Sequence, residues 1–416
     1  MTEPRALRYA EARARVLDSV SPLPEVNVPL AGCLGRALRE AIVAGHSLPP
    51  FRNSAMDGYA VQSVDLAQAS EAAPVTLRVV EVLPAGRASE RVLAPGECAR
   101  IMTGAMLPLG ADAVVPFEES VRGGTGRAEN CTVSRPSRAG DHVREAGADV
   151  TSGSLVMEPG RELSAHDLGL LAALGRPRLE VGPKPRVAVL STGDELLDVD
   201  QPLKPGAIRD SNLPMIRLLL ESSGCEVSGA RRLPDDTGRV ATAMREALES
   251  CDVVLTLGGV SEGDRDPVKL ALRSMPEVEA WRVAMRPGRP QAFGRPQGKL
   301  LFGLPGNPAS VACVFEVIVR PALRALQGHA VLDRPRVPVR VAVDVESRAS
   351  RTDFVRATLE WRDGSLWASP AGTQLSGHLA PQSRAHALLV VPEEADRLVS
   401  GAAAEAFVWR LPSGVD

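Results

Sequence analysis

The sequence predicts a multidomain α/β plus β fold, in which a central doubly wound α/β module is flanked by β-rich segments. Three observations predict it. The 416 residues exceed one ordinary domain and suffice for two to four. Between residues 186 and 326, apolar runs alternate with helix-like segments, the pattern of a parallel sheet covered on both faces. Outside that region, 37 glycines and 34 prolines across the chain break short apolar stretches into strands and turns, which excludes a long helical bundle.

Composition narrows the class. Hydrophobic residues make up 44% and charged residues 24%, which is globular rather than disordered. Aromatic residues are only 3%, so the cores must be built from Ala, Val and Leu. A net charge of −3 without a basic tract argues against nucleic acid as a partner. The six cysteines show no C-x-x-C pair, which argues against a disulfide framework or a cysteine zinc site. The first twenty residues carry Glu3, Arg5, Arg8, Glu11, Arg13, Arg15 and Asp18. That fits neither a signal peptide nor a membrane span, so a cytoplasmic location is expected.

The elements follow in order. Residues 5–19 read as an Ala/Arg-rich helix. Residues 25–50 hold short apolar pieces broken by Gly32, Gly35, Gly45 and Pro49-Pro50. Residues 51–140 are strand-like, as in Val75–Leu83 and Ala113–Phe117, with Gly123–Gly126 as a hairpin tip. Ser164 is placed to cap a helix from Ala165 to Leu174 that Gly175 ends. Val181–Pro185 reads as a linker. Strands are then expected at 186–191, 226–232, 252–257, 279–284 and 299–303, and helices at 213–223, 237–249, 267–274 and 307–326. Arg334–Pro338 marks a boundary. The tail, 336–410, again reads as short strands, with Asp363-Gly364 as a hairpin turn.

Three polar glycine loops carry the chemistry: Gly206–Pro214, Gly258–Pro267 and Leu304–Pro308. Each leads into a helix that starts at or near a proline. Asp266 and Asn307 occupy N-cap positions, with Pro267 and Pro308 at the first helical turn. The last two loops follow the apolar runs Val253–Leu257 and Leu300–Phe302. A strand, a glycine turn and a helix N-terminus form an anion site, because free N–H groups and the helix dipole face the ligand. Three such loops in one module point to a phosphorylated ligand at the carboxyl edge of the sheet. The plainer alternative is that Gly and Pro only punctuate αβ turns.

Acids gather on the same edge: Asp194, Glu195, Asp210, Asp264 and Asp266. They would repel an anion unless some bind Mg²⁺, which prefers oxygen ligands and bridges carboxylates to phosphates. Asp266 as a mere cap and Asp194 as a turn residue remain open. Arg286 and Arg289, in Met285–Pro290, supply guanidinium groups that can clamp an oxyanion, or they form a solvated turn. The stretch Pro49–Ala60 and the segment Arg100–Ala105 are dense in polar residues to which physics alone assigns no job. The six histidines lack metal-ligand spacing, and the dinucleotide fingerprint is missing.

Seven motifs in register resemble the MoeA-type molybdopterin molybdenumtransferases, a family that includes the carboxyl-terminal part of gephyrin. They are Phe51–Ala60, Met102–Ala105 with Gly110–Asp112, Ser191–Leu196, Asp210–Asn212, Gly258–Gly263, Arg286–Pro290 and Leu304–Ser310. The resemblance spans nearly the whole chain. It implies a discontinuous linker and dimerisation domain (1–50 and 141–180), a β-rich module (51–140), a molybdopterin-binding α/β domain (181–328) and a C-terminal β-barrel-like domain (329–416). It implies a homodimer whose cleft joins the α/β module of one subunit to the β-rich module of the other. The implied reaction inserts molybdenum from molybdate into adenylylated molybdopterin, with Mg²⁺, and releases AMP. Asp57, Thr103 and Asp149 are then cleft residues, and Glu195, Asp210 and Asp266 the catalytic acids around the metal. Gly258, Gly259, Ser261, Arg286, Arg289, Pro305, Gly306 and Asn307 would contact phosphate or molybdate. The family often has Lys where Arg286 and Arg289 stand. Other cofactor-biosynthesis proteins are conceivable partners, whereas nucleic acid and membrane are not expected. Tungstate is not separated from molybdate by any residue.

Two alternatives differ in class. A molybdopterin adenylyltransferase shares the α/β module, but its second loop resembles Gly-Gly-Thr-Gly, whereas this chain has Gly258-Gly259-Val260-Ser261 and long flanking regions. A scaffold that keeps the fold without the chemistry would be expected to lack the acids, which are present.

Overall fold

The computed structural model describes residues 6–125, 129–260 and 266–412. The chain divides into two compact units. One comprises residues 1–39, 159–164 and 178–416, and the other residues 40–158 and 165–177.

The first unit is built on one continuous sheet. Its α/β part contains β1 (Arg186–Thr192), β2 (Glu226–Leu233), β3 (Val253–Leu257), β4 (Val278–Arg286), β5 (Pro290–Gly294) and β6 (Leu300–Leu304). Its C-terminal part contains β7 (Arg336–Val341), β8 (Thr352–Arg362), β9 (Ser365–Pro370), β10 (Ala387–Val391) and β11 (Ala403–Val408). The order across the sheet is β2-β1-β3-β6-β5-β4-β8-β9-β7-β11-β10. Because β10 also pairs with β8, the last five strands close into a barrel.

Strands β2, β1, β3 and β6 run parallel. Side chains alternate across the pleat. Val187, Val189, Val253, Leu255, Phe302 and Leu304 therefore face one core, and Ala188, Leu190, Val254 and Leu301 face another. Helix Asn212–Ser222 covers the first core with Ile216 and Leu220, joined by Val311, Val314, Phe315 and Ile318 of the segment that begins at Pro308. Helix Thr237–Ser250 covers the second with Val240, Met244 and Leu248, beside Val268 and Ala271 of helix Pro267–Leu272. This is the doubly wound arrangement expected from the sequence. Each buried Val or Leu contributes roughly 1.5–3 kcal/mol relative to exposure.

Within the α/β part, the sheet departs from all-parallel at one place. β4 is followed by β5, and the two pair antiparallel before β5 meets β6. The sequence hid β5 because it opens on Pro290, a residue tolerated at the first position of a strand but read there as part of a turn. A second departure lies in the segment expected as one helix over 307–326. It is helix Pro308–Val314, a π-helical turn Phe315–Val319, then helix Arg320–Gln327. Pro321 has no N–H to give to the carbonyl four residues back, which belongs to Val317. The Tyr9 hydroxyl donates to that carbonyl instead, at 3.3 Å. Gly328 then ends the helix in the left-handed region (φ 82°).

In the barrel, β8 and β9 form a hairpin around Asp363 and Gly364, both with positive φ (48° and 71°). Mirror-image turn geometry of this kind matches strand twist. The second unit carries a six-stranded sheet in the order Ala113–Pro116, Gly58–Val61, Glu97–Ile101, Val75–Leu83, Asn130–Val133, Ser120–Gly123. Gly126 of the expected hairpin tip lies outside the described residues. Helix Ala165–Ala173 belongs to this unit, with Gly175 at φ 70° behind it. All six cysteines are buried free thiols. No described helix is long and apolar enough to cross a membrane.

Candidate functional site

The carboxyl ends of β1, β3 and β6 open into a cavity of about 1540 Å³. In the first loop, helix Asn212–Ser222 begins two residues before Pro214. Asp210 does the capping although it lies outside the N-cap position: its Oδ1 accepts from the backbone N–H of Asn212 and of Leu213, both at 3.0 Å. Asp210 is buried, and its Oδ2 has no hydrogen-bond partner among the described residues. Asn212 Nδ2 donates to the Gly306 carbonyl at 2.7 Å, which ties the first glycine loop to the third.

In the second loop, Gly258 and Gly259 both have positive φ (90° and 77°). Gly258 N–H donates to the Leu304 carbonyl at 3.0 Å. A Cβ on Gly259 would stand 2.3 Å from Val268 Cβ and 2.6 Å from Asp266 Oδ1, so only glycine fits this approach. Asp266 caps the following helix by accepting from Val268 N–H at 3.0 Å. Burial, assisted by the neighbouring Asp235 carboxylate and opposed by the Val268 and Lys269 amides, raises the Asp266 pKa. In the third loop Asn307 makes no side-chain capping bond. There Ala309 N–H donates to the Ser376 carbonyl at 3.0 Å.

The cavity is lined by Glu195, Asp210, Gly258, Gly259, Asp266, Arg286, Arg289, Pro305, Gly306 and Asn307, all of them singled out in the sequence. Arg286 and Arg289 are exposed. Neither guanidinium makes a hydrogen bond or ion pair with a described residue. Asp194 does not line the cavity; it accepts from Asp235 N–H at 3.1 Å. Ser261 and Asp264 lie outside the described residues.

Sequence reasoning missed part of the wall. Asp235, Arg348, Ser350, Arg351 and the segment Gln374–Gly377 also line the cavity. Most of these come from the barrel, which the sequence presented as a separate tail without a motif. The available signal was the dense polar run Ser347–Asp353. Arg351 is held by Asp353 at 2.8 and 3.1 Å, whereas Arg348 is exposed and makes no ion pair with a described residue. The lining thus carries both carboxylates and guanidinium groups. That combination suits a polyanion accompanied by a cation.

Asp57, Thr103 and Asp149 belong to the second unit. The structure pairs two of them: Asp57 Oδ1 accepts from the Thr103 backbone N–H and hydroxyl, both at 2.7 Å. These bonds hold the exposed Asp57 carboxyl below its ordinary pKa. Asp149 is exposed, and its backbone N–H donates to the Leu48 carbonyl at 2.9 Å.

The donor set was weighed against Mg²⁺. Among the described residues no three His, Cys, Asp or Glu side chains are arranged to hold a metal alone. The unpartnered Asp210 Oδ2 and the mutual repulsion of Asp235 and Asp266 would both be relieved by a cation. The residues therefore fit an ion whose coordination is completed by ligand phosphate oxygens, the usual manner for Mg²⁺.

Comparisons with known proteins agree along the length of the chain. Residues 7–175 match the model of the MoeA N-terminal region (domain I and II). Residues 188–325 match a probable molybdopterin binding domain, and residues 338–409 the MoeA C-terminal region (domain IV). The molybdopterin molybdenumtransferase 2 of Mycobacterium tuberculosis is 37% identical over 412 residues, covering 97% of this chain and 100% of its own. The molybdopterin molybdenumtransferase of Staphylococcus aureus is 34% identical over 383 residues, covering 92% and 90%. The crystal structure of the molybdopterin biosynthesis moeA protein of Pyrococcus horikoshii OT3 superposes with a TM-score of 0.83 at 28% identity, covering 97% of this chain and 100% of that one.

Proposed function

The chain belongs to the MoeA family of molybdopterin molybdenumtransferases, and from that premise we propose that it transfers molybdenum from molybdate to adenylylated molybdopterin and releases AMP. The observation that carries this reading is the convergence of three glycine loops, carboxylates and arginine side chains on one cavity. The backbone N–H groups of Gly259, Gly306 and Asn307 suit the phosphate oxygens of the ligand. Arg286 and Arg289, unpaired with described residues, suit an oxyanion. Because guanidinium is planar and ammonium is a point charge, these arginines would orient molybdate differently from the lysines the family often carries.

Glu195, Asp210 and Asp266 are the carboxylates proposed to hold Mg²⁺, with Asp235 added by its position. When bound, the ion would neutralise phosphate oxygens of the ligand. Asp57, Thr103 and Asp149 are proposed to act in the cleft from the second unit of a partner chain in a homodimer. The ready-made Asp57–Thr103 pair supports that role, since its bonds keep the carboxylate charged and oriented.

The test is AMP release from purified protein given adenylylated molybdopterin and Mg²⁺, with and without molybdate. Release is expected only with molybdate, and Asp210→Ala is expected to lower it by about 100-fold or more, as for a misplaced site. Release without molybdate, or none at all, would overturn the reading.

A further inference from the structure

The barrel meets the α/β part of its unit along a narrow seam. Strand β8 joins β4 through two residue pairs, Met285–Thr352 and Arg286–Asp353. Two pairs alone hold a junction weakly, since short two-stranded pairings are marginal in water. The seam matters to the cavity because both partners line it: Met285 and Arg286 from the α/β part, and Arg348, Ser350 and Arg351 from the barrel.

Three consecutive residues, Leu7, Arg8 and Tyr9, close this seam. Leu7 and Arg8 form a short strand that pairs in parallel with Val283 and Ala284, the two β4 residues just before the β8 pairs. The Arg8 guanidinium forms an ion pair with Glu393 of the barrel. The Glu393 carbonyl takes the Ser350 N–H at 2.7 Å, and Ser350 is held at φ 74°. Positive φ is uncommon for a residue with a Cβ, so this loop conformation depends on bonds from outside it. Tyr9 opens the helix Tyr9–Asp18 and touches both parts at once. Its ring stands edge-on to Phe354 of β8, with centroids 5.0 Å apart and planes at 75°. Its hydroxyl donates to the Val317 carbonyl at 3.3 Å, in the π-helical turn that continues the helix from the third glycine loop. Burial pushes the phenol pKa up, so the hydroxyl keeps the proton it donates. A phenylalanine would keep the ring contact and lose the tie to the α/β part.

We propose that Tyr9 is a positioning residue: with Arg8 it clasps the barrel to the α/β part and so sets the barrel loop Arg348–Arg351 for the phosphorylated ligand. The inference rests on the reading of the cavity as the site of adenylylated molybdopterin. Tyr9→Leu removes both ties of the ring and hydroxyl, and Tyr9→Phe removes the hydroxyl alone. Arg8→Glu and Glu393→Arg each break the ion pair, and together they restore it with the charges exchanged.

The experiment measures binding of adenylylated molybdopterin by calorimetry without molybdate, AMP release at varied adenylylated molybdopterin with molybdate, and amide hydrogen exchange. In Tyr9→Leu the Kd and KM are expected to rise about tenfold while kcat stays within about threefold, the pattern of lost ground-state positioning. Exchange is expected to quicken over residues 281–286 and 347–354, while the barrel strands Ala387–Val391 and Ala403–Val408 keep their protection. Tyr9→Phe should raise Kd by a smaller factor, about threefold, because the ring contact remains. If Tyr9→Leu does not fold, the charge exchange decides: each single variant should raise Kd about threefold, and the double variant should return it to the wild-type value. Unchanged Kd in Tyr9→Leu, whether or not exchange quickens, would overturn the inference alone, as would a fall in kcat at unchanged KM or a charge exchange that restores nothing. A wild type that neither binds adenylylated molybdopterin nor releases AMP would overturn the reading of the site, and this inference with it.

Discussion

His329 is buried, its Nδ1 has no hydrogen-bond partner among the described residues, and desolvation together with the Arg324 and Arg320 charges lowers its pKa to about 4. The folded chain therefore binds this proton less readily than the unfolded chain does. The stability that depends on the neutral ring is complete above the unfolded value near 6.5, and it is lost as pH falls toward 4. The full loss is about 3 kcal/mol on conversion of the shift. Urea unfolding at pH 7 and pH 4.5 should show it, and His329→Gln should flatten that part of the profile. Parallel profiles for both proteins would refute the assignment. Nothing in the sequence marked this histidine, since its partners depend on how the helix ending at Gln327 packs. Asp57 was the opposite case. Its motif was legible, but its partner Thr103, 46 residues away, became evident only when the strands were paired.

Glycines show at the scale of elements why equal letters carry unequal weight. Gly364 in the β8–β9 turn has φ 71° and open space around it. Gly259 has a similar φ but would drive a Cβ into Val268 and Asp266. Gly364→Ala is expected to cost about 1 kcal/mol from backbone strain alone. Gly259→Ala is expected to cost at least about 2 kcal/mol, because overpacking is added to the strain. It should also reduce AMP release by displacing the Asp266 cap. Comparison of the two variants in thermal unfolding checks the order, and equal costs would sink it. The parallel strands and their helices were readable because strands buried on both faces form continuous apolar runs. β5 and the π-helical turn were not. One begins on a proline that imitates a loop, and the other depends on Tyr9 reaching the Val317 carbonyl from more than 300 residues away in the chain.

For the whole molecule, the acids, glycine loops and Arg286–Arg289 pair were legible because each sits beside a strand end in one contiguous module. The barrel's contribution to the cavity was not, since β4 pairs with β8 only through the tertiary fold. The proposed homodimer makes a prediction of its own. If the cleft draws Asp57 from one chain and Asp266 from the other, Asp57→Asn and Asp266→Asn chains, each inactive alone, should complement when mixed and reassembled. Every mixed dimer would hold one doubly altered site and one intact site. With random pairing at equal amounts, half the dimers are mixed, so roughly one quarter of wild-type AMP release should return. A site built within a single chain would leave every site with one lesion, and mixing would restore nothing. Size-exclusion chromatography of the mixture, with one chain tagged, establishes that mixed dimers form, so that absence of activity would count against the shared cleft.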